Sequence, residues 1–488
     1  MKRILAISAT ALLAAGCVTP EKVRQAAVTP PPAYQAPPAP ADGLVPASLD
    51  HWWKLYGDAQ LDQLVDQALS TAVDARTAMA RLEQAAAVRA GTRDQVLLPS
   101  GAINGTATRT STTILQSNSS FPLFAQPGAT ENYSANFNVS WELDLFGRRG
   151  HELRAADADF FTAAFTYEAT RTALIANVAQ SLFQARGLAL QLADAQEIAR
   201  IDRQLADQAK VRLDHGLSPE GDYDQAQATV EAEDAQVESL RAQLVTARRT
   251  LLVLVGLGFD PLEKLPADAQ VGAPPPVPTT LPGDLLRRRP DVREAEWRIV
   301  SATHTLRYDE LAVLPTIKLQ PGISLTKATG PFGQTSWAWS IAGNLAQPVL
   351  DRPRLIAQMH AQRAVAEQDV IAYEGAVQQA YADVENALVY LDSDRRRVDM
   401  LRSAEARAEK AYENERTAYG RGLVDLPTAL QVESTWRTIR TQRSSAEATL
   451  MQRSVQVFKA LGGGWTPDAP AVDTPYAALA ATGVKGAK

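Results

Sequence analysis

Between Ser134 and Gly147 the chain reads SANFNVSWELDLFG. Ala135, Phe137, Val139, Trp141, Leu143 and Leu145 occupy one parity, and Ser134, Asn136, Asn138, Ser140, Glu142 and Asp144 occupy the other. Successive side chains of a strand point to opposite faces, so the stretch predicts a strand with one apolar and one wet face. Phe146 and Gly147 lead straight into an Ala-rich segment with no proline before Pro219, in which Leu153, Phe160, Tyr167 and Leu174 fall seven apart, as in a coiled-coil seam. A helix from Arg148 to Asp214 would have about 67 residues and a length of roughly 100 Å, a rod that an ordinary globular domain does not need.

Working outward, HGLSPEG at His215 to Gly221 reverses the chain into a second helix, expected from about Asp222 to Leu257. Upstream, helical spacing of Leu61, Leu64, Val65, Ala68 and Leu69 predicts one helix from about Gln60 to Leu98, stopped by Pro99. GAINGTATRTSTT follows as a weakly alternating strand, and then a loop from Ile114 to about Asn132. After a Pro-rich linker the pattern starts again: a helix from about Gly283 to Leu314 stopped by Pro315, then the alternating stretches IKLQPGISLT and SWAWSIAGNL. A second long helix is expected from Arg354 to Tyr419, a reversal at GRGLVDLP, and a return helix to about Leu461. Gly216-Leu217 and Gly422-Leu423 occupy the same place in the two halves, which points to an internal duplication. The second strand exit, NLAQPVLDRPRL at Asn344 to Leu355, has Arg352-Pro353 where the first has a glycine, so the two exits are not expected to be equivalent.

The ends are read separately. Lys2 and Arg3 precede the apolar run Ile4 to Ala15, too short to span a bilayer but right for a secretory signal. The single cysteine, Cys17, excludes an internal disulfide, and LAAGC resembles a bacterial lipobox with Ala14 where Leu is usual. Val18 is not the Asp associated with inner-membrane retention, so delivery to the outer membrane is expected. The resulting division is signal peptide 1–16, lipidated N-terminus and Pro-rich tether 17–48, first repeat 49–258, linker 259–282, second repeat 283–461 and a flexible tail 462–488. Hydrophobic content of 45% with only 6% aromatics suits close-packed helices, and a net charge of −6 with both signs scattered marks no nucleic-acid binder.

Alternating strands with Trp among the apolar positions, and no apolar helix of spanning length, fit an outer-membrane barrel. A soluble sandwich pair shows the same alternation; four strands among very long helices behind a lipid anchor favour the membrane. Four strands cannot close alone, because an open edge in hydrocarbon leaves backbone groups unpaired at several kcal/mol each. Two chains would give about eight strands, and three about twelve with room for a passage. The expected fold is therefore an α+β membrane protein with two internal repeats, whose barrel is closed by association of subunits. His51, His151, His215, His304 and His360 are dispersed, with no H-E-x-x-H, G-x-S-x-G or P-loop, so neither catalysis nor a metal site is expected.

WWKLYGDAQLDQLVDQAL, the SWELDLFGR junction, DLLRRRPDVREAE at Asp284 to Glu296 and ELAVLPTIKL at Glu310 to Leu319 resemble the recurring segments of the outer-membrane efflux protein family. These are the TolC-like channels, and the likeness is to the lipoprotein branch serving resistance-nodulation-division pumps. The resemblance covers about Leu49 to Leu461. It implies a homotrimer whose four strands per chain form a transmembrane β-barrel continued by a long-helix α-barrel. A periplasmic adaptor and an inner-membrane resistance-nodulation-division transporter would be partners, beside outer-membrane lipid. The function implied is a passive exit duct for drugs or other small toxic compounds, with no enzyme activity and no cofactor beyond lipid on Cys17. Protein export through the same duct, or a lipid-anchored periplasmic scaffold without a pore, are the alternatives.

The resemblance also implies sites. Gly216, Leu217 and Ser218, with Gly422, Leu423 and Val424, match the tips where the adaptor docks. Asp222 and Tyr419 match a gating pair on neighbouring tip helices; the Arg of that linkage falls on Val424, with Arg421 nearby. The constriction aspartates of some relatives fall on Thr428 and Gln431, which puts an acidic ring in doubt and leaves Asp425, Asp222 or Asp224 as sources of negative charge. Trp337 and Trp339 are expected at the lipid interface. Arg287, Arg288, Arg289 and Asp291 read as packing and salt-bridge residues, with Pro290 favouring an extended Arg289.

Overall fold

The order helix, helix, strand, strand, long helix, helix occurs twice along the chain. In this computed structural model, which describes residues 23–36, 49–113, 128–278, 282–329 and 333–467, the first set is α1 (Ala59–Thr71), α2 (Val73–Leu97), β1 (Ser100–Thr112), β2 (Gly128–Leu143), α3 (Arg148–Asp214) and α4 (Glu220–Leu254). The second is α5 (Leu285–Arg288), α6 (Pro290–Leu311), β3 (Thr316–Ala328), β4 (Thr335–Ala346), α7 (Arg352–Gly420) and α8 (Leu426–Ala460). The described residues fall into two compact units: those within Met1–Ala26, Gln84–Phe161 and Glu296–Ala372 form one, and those within Ala27–Glu83, Thr162–Ala295 and Tyr373–Lys488 the other.

Strands of the first unit form one antiparallel sheet in the order β1-β2-β3-β4. Register sorts the chemistry of whole rows, because directly opposed residues share a face. Ile103, Phe137, Ile323 and Trp339 lie in one row, and Leu325 and Trp337 continue the same face. Asn104, Asn136, Ser324 and Ala338 form a row of the opposite face, where Thr106 and Ser134 hydroxyls meet at 2.6 Å. The β2–β3 pairing skips Gln320 and Pro321, as a residue without an N–H requires.

The expected strand and helix meet with one adjustment: β2 ends at Leu143, so Leu145 leaves the alternation and is exposed. The remaining motif residues build the turn. Gly147 has φ 80°, Asp144 Oδ2 accepts from Gly150 N at 3.0 Å, and Glu142 pairs with Arg148, whose Nη1 donates to Tyr308 Oη at 2.8 Å. A carboxylate at a helix N-terminus satisfies an orphan N–H and opposes the helix dipole. The second exit lacks this device: no positive-φ glycine stands among the described residues between Ala346 and α7.

The second unit holds the apolar core. WWKLYGD forms a short 3-10 turn over Trp52–Tyr56 that buries Trp52 and Trp53; Trp52 stacks on Phe458 with centroids 5.3 Å apart. Asp58 then caps α1 through Gln60 N and Leu61 N. Two helices expected to be continuous are broken. The first turns at Ala72, where the Thr71 hydroxyl donates to Val255 O at 2.7 Å. The other breaks at Arg289, extended before Pro290 as that proline demands, and its guanidinium pairs with Asp291 at 2.6 Å and Asp383 at 2.9 Å. Arg288 pairs with Asp50 at 2.5 Å.

Gly462 to Trp465, expected to open a flexible tail, instead belong to the packed unit, and the rest of that expected tail after residue 467 lies outside the described residues. Trp465 is buried, and its Nε1 donates to Arg288 O at 2.8 Å, which satisfies the indole N–H inside the core. The Pro-rich tether has neither helix nor strand where described, and it is bound: Ala27 N donates to Glu374 at 2.9 Å, and Gln35 N and Ala36 N share the Glu385 carboxylate at 2.5 and 2.9 Å. Among the described residues no helix is long and apolar enough to cross a membrane.

Candidate functional site

The two long helices end alike. Gly216 N donates to Leu213 O and Leu217 N to Arg212 O, both at 2.8 Å; Gly422 N donates to Tyr419 O and Leu423 N to Ala418 O, both at 2.9 Å. With φ of 70° and 74° at the two glycines, each end is a Schellman cap, in which the left-handed residue lets the last carbonyls be satisfied. The following leucine is thrown into solvent in both cases, Leu217 being 69% and Leu423 72% exposed. Open space surrounds the Cβ position of Gly216, so conformation and not crowding selects glycine there.

Beneath the tips, α3, α4, α7 and α8 pack Leu205, Ala206, Ala209, Ala226, Val230, Tyr419, Leu426, Ala429 and Leu430 into one cluster, with Val424 against its edge. Tyr419 is 2% exposed and its hydroxyl has no hydrogen-bond partner among the described residues. No hydrogen bond joins it to Asp222, the link that the resemblance implied. The ring instead lies under Arg212, with the guanidinium carbon 4.8 Å from the centroid, while Arg212 Nη1 donates to Tyr419 O at 2.9 Å. One arginine thus clasps the C-terminal end of α7 twice, by a cation–π contact and by a charge-assisted bond to a terminal helix carbonyl. Burial holds the Tyr419 phenol above its ordinary value, with Arg212 opposing and half-buried Asp222 adding to the shift.

The other predicted residues divide by role. Asp425 is the N-cap of α8: its Oδ1 accepts from Thr428 N at 3.1 Å, and hydrogen bonding to Thr428 holds the carboxyl below its usual range. Arg421 is exposed and its side chain makes no hydrogen bond or ion pair among the described residues, so the guanidinium expected near Tyr419 comes from Arg212. Gln431 and Thr428 are exposed on α8, and Ser218 is half-buried with a hydroxyl lacking a partner among the described residues. Trp337 and Trp339 stand on the apolar face of the sheet, 70% and 67% exposed. Cys17 lies outside the described residues.

Arg212 was within reach of sequence reasoning, as a basic residue in the last turn of a helix, four positions before its capping glycine. Its partner 207 residues away was not. The fold also brings together two histidines that looked dispersed: His151 Nδ1 and His304 Nδ1 are 3.1 Å apart. Burial lowers both imidazoles, with Arg154 adding to both and His151 adding to the shift of His304; in the neutral forms one ring N–H can donate to the other ring nitrogen. No group of three or more His, Cys, Asp or Glu side chains is arranged for a metal among the described residues.

The family model described as "Outer membrane efflux protein" matches residues 64–257 and 281–463. The pyoverdine export outer membrane protein OpmQ of Pseudomonas putida is 29% identical over 469 residues, covering 94% of this chain and 96% of that protein. The probable outer membrane lipoprotein SilC of Salmonella typhimurium is 26% identical, with 95% and 99% covered. Among solved structures, the outer-membrane channel OprN superposes with a TM-score of 0.80 at 26% identity, covering 92% of this chain and all of that one.

Proposed function

Because the chain belongs to the outer membrane efflux protein family, we propose that it is the outer-membrane duct of a tripartite efflux pump, closed by trimerisation and gated at its helix tips. The observation that carries this reading is the sheet: four antiparallel strands in which β1 and β4 each have one paired neighbour, with an apolar band crossing one face from edge to edge. Ten large side chains of that face are exposed, Ile103, Tyr133, Phe137, Trp141, Ile323, Leu325, Trp337, Trp339, Ile341 and Leu345. Water does not tolerate such a contiguous patch on a lone chain, and hydrocarbon does not tolerate its edges. Three copies joined edge to edge give about twelve strands, meet both demands and leave a polar lumen. The repeated order of elements fits an origin by internal duplication.

The chain does no chemistry in this scheme. Three copies of α3, α4, α7 and α8 would wall the periplasmic passage, and the exposed Leu217 and Leu423 knobs would meet the adaptor that links the duct to an inner-membrane transporter. Lipid on Cys17 would add an anchor, as suits kinship with a protein named an outer membrane lipoprotein. Small molecules are the cargo class, in line with a relative named for pyoverdine export. The Arg212 clasp on Tyr419 would be a closed-state contact. Planar-bilayer recording tests this: Arg212→Ala is expected to raise conductance several-fold over the unmodified protein, and absence of current from either folded protein would contradict the channel reading.

A further inference from the structure

Immediately behind the tip cluster the helices bury charge. Asp202 of α3, Glu233 of α4 and Glu433 of α8 are 2%, 8% and 1% exposed. They form a layer between Leu205, Ala206 and Leu430 of the tip cluster and a second apolar group, Ile198, Ile201, Tyr412 and Trp436. Arg437 of α8 is the cation that faces all three, its Nη1 being 3.4 Å from Glu233 Oε2 and 3.8 Å from Asp202 Oδ2. Both Asp202 oxygens and Glu433 Oε1 are shielded from solvent and accept no hydrogen bond among the described residues. From α7 the layer meets Tyr412, whose ring stacks on Trp436 at 5.0 Å and whose buried hydroxyl also lacks a partner, and beyond it Arg416. Arg203 and Asp234 flank the layer as an exposed pair that neutralises itself.

A second ionic layer further along α8 shows how these helices can accommodate buried charge. Asp194 accepts from Arg440 at 2.7 Å, lies 3.5 Å from Arg443 and takes the Ser444 hydroxyl; Arg443 also pairs with Glu447 at 2.8 Å and with Glu405. Two guanidiniums and a hydroxyl converge there. Behind the tip, three carboxyl groups share one guanidinium at hydrogen-bond distances that are long or absent. Full ionisation would leave two uncompensated negative charges on three packed helices, and buried carboxyls in that position keep protons.

We propose that this layer is a proton-operated latch: with Asp202 and Glu433 protonated the tip helices pack closed, and proton loss sets like charges against one another between α3, α4 and α8 and loosens the tip. The proposal rests on the reading of these tips as the gate. Burial is the main cause of the shifts. It brings Asp202 to about 6, against Arg437 and with help from Glu233, and it brings Glu433 to about 7, with Asp202 and Glu233 adding and Arg437 opposing. Carboxyls raised on folding give their stabilisation in full below their unfolded values. That contribution is lost as pH rises toward 6 and 7, so the closed packing weakens as neutrality is approached from the acid side.

Hydrogen exchange on the full-length detergent-purified protein reads this directly, with intrinsic rates corrected, in peptides spanning Ile198–Val237 and Tyr412–Arg437. Protection is expected to fall about tenfold or more between about pH 5.5 and about pH 8. Glu433→Gln and Asp202→Asn should each keep most of the acid-side protection at the higher pH. Arg437→Met should move the other way, near the unmodified protein at the lower pH and much less protected at the higher. An unmodified protein with pH-independent tips, an undiminished pH response in the Gln and Asn variants, or an Arg437→Met protein equally protected at both pH values would each overturn the latch. No current enters this readout, so a silent channel bears on the channel reading alone.

Discussion

Trp52 and Trp339 carry the same indole into opposite surroundings. Trp52 is fully buried in the helical unit, stacked on Phe458 and edge-on to Trp53 and Tyr56; Trp339 stands 67% exposed on the sheet, in a row with Ile323 and Phe137. In the helical unit apolar side chains point inward and the chain completes its own core. In the sheet they point outward along one face, and polar rows line the other. A single chain therefore completes one of its two units and leaves the sheet of the other with an exposed apolar face and two outer strands each paired on one side only. The second unit can be judged by ordinary core rules, and the exposed face of the sheet cannot.

Two substitutions sharpen that contrast. Removing the ring of fully buried Phe458 by Phe458→Ala is expected to destabilise the helical unit by about 3–5 kcal/mol, read in thermal or denaturant unfolding, whether or not a membrane is present. Ile341→Lys, midway along β4, should change nothing that depends on the helical core. It is expected to weaken insertion of the folded protein into bilayers by about 2–4 kcal/mol, the range for a lysine facing mid-bilayer lipid. An Ile341→Lys protein that inserts normally would place that face away from lipid. A Phe458→Ala protein of unchanged stability would mean that the helical unit takes its stability from elsewhere.

Much of this was legible in the sequence because the signals are local. Period-two alternation marks β2, β3 and β4, absence of proline over some seventy positions marks each long helix within a few residues, and the repeated Gly-Leu marks both tips. β1 was harder to read, since Ile103 is its one large apolar side chain and only register with Phe137 gives it a face. The break at Ala72 was not legible: α-helical residues flank it, and the contact that accompanies it is with Val255, 184 residues from Thr71. The tip clasp and the acid layer escaped for the same reason. Asp202, Glu233 and Glu433 each look like a solvated helix carboxylate until three helices turn them toward one another, and no single stretch of sequence holds that information.

The central claim is that four strands per chain are closed by three chains. The mass of the particle purified in mild detergent, with the detergent contribution subtracted, tests it most directly. Three copies of the chain per particle are predicted. A folded particle containing a single chain, with its strand content retained, would contradict the account.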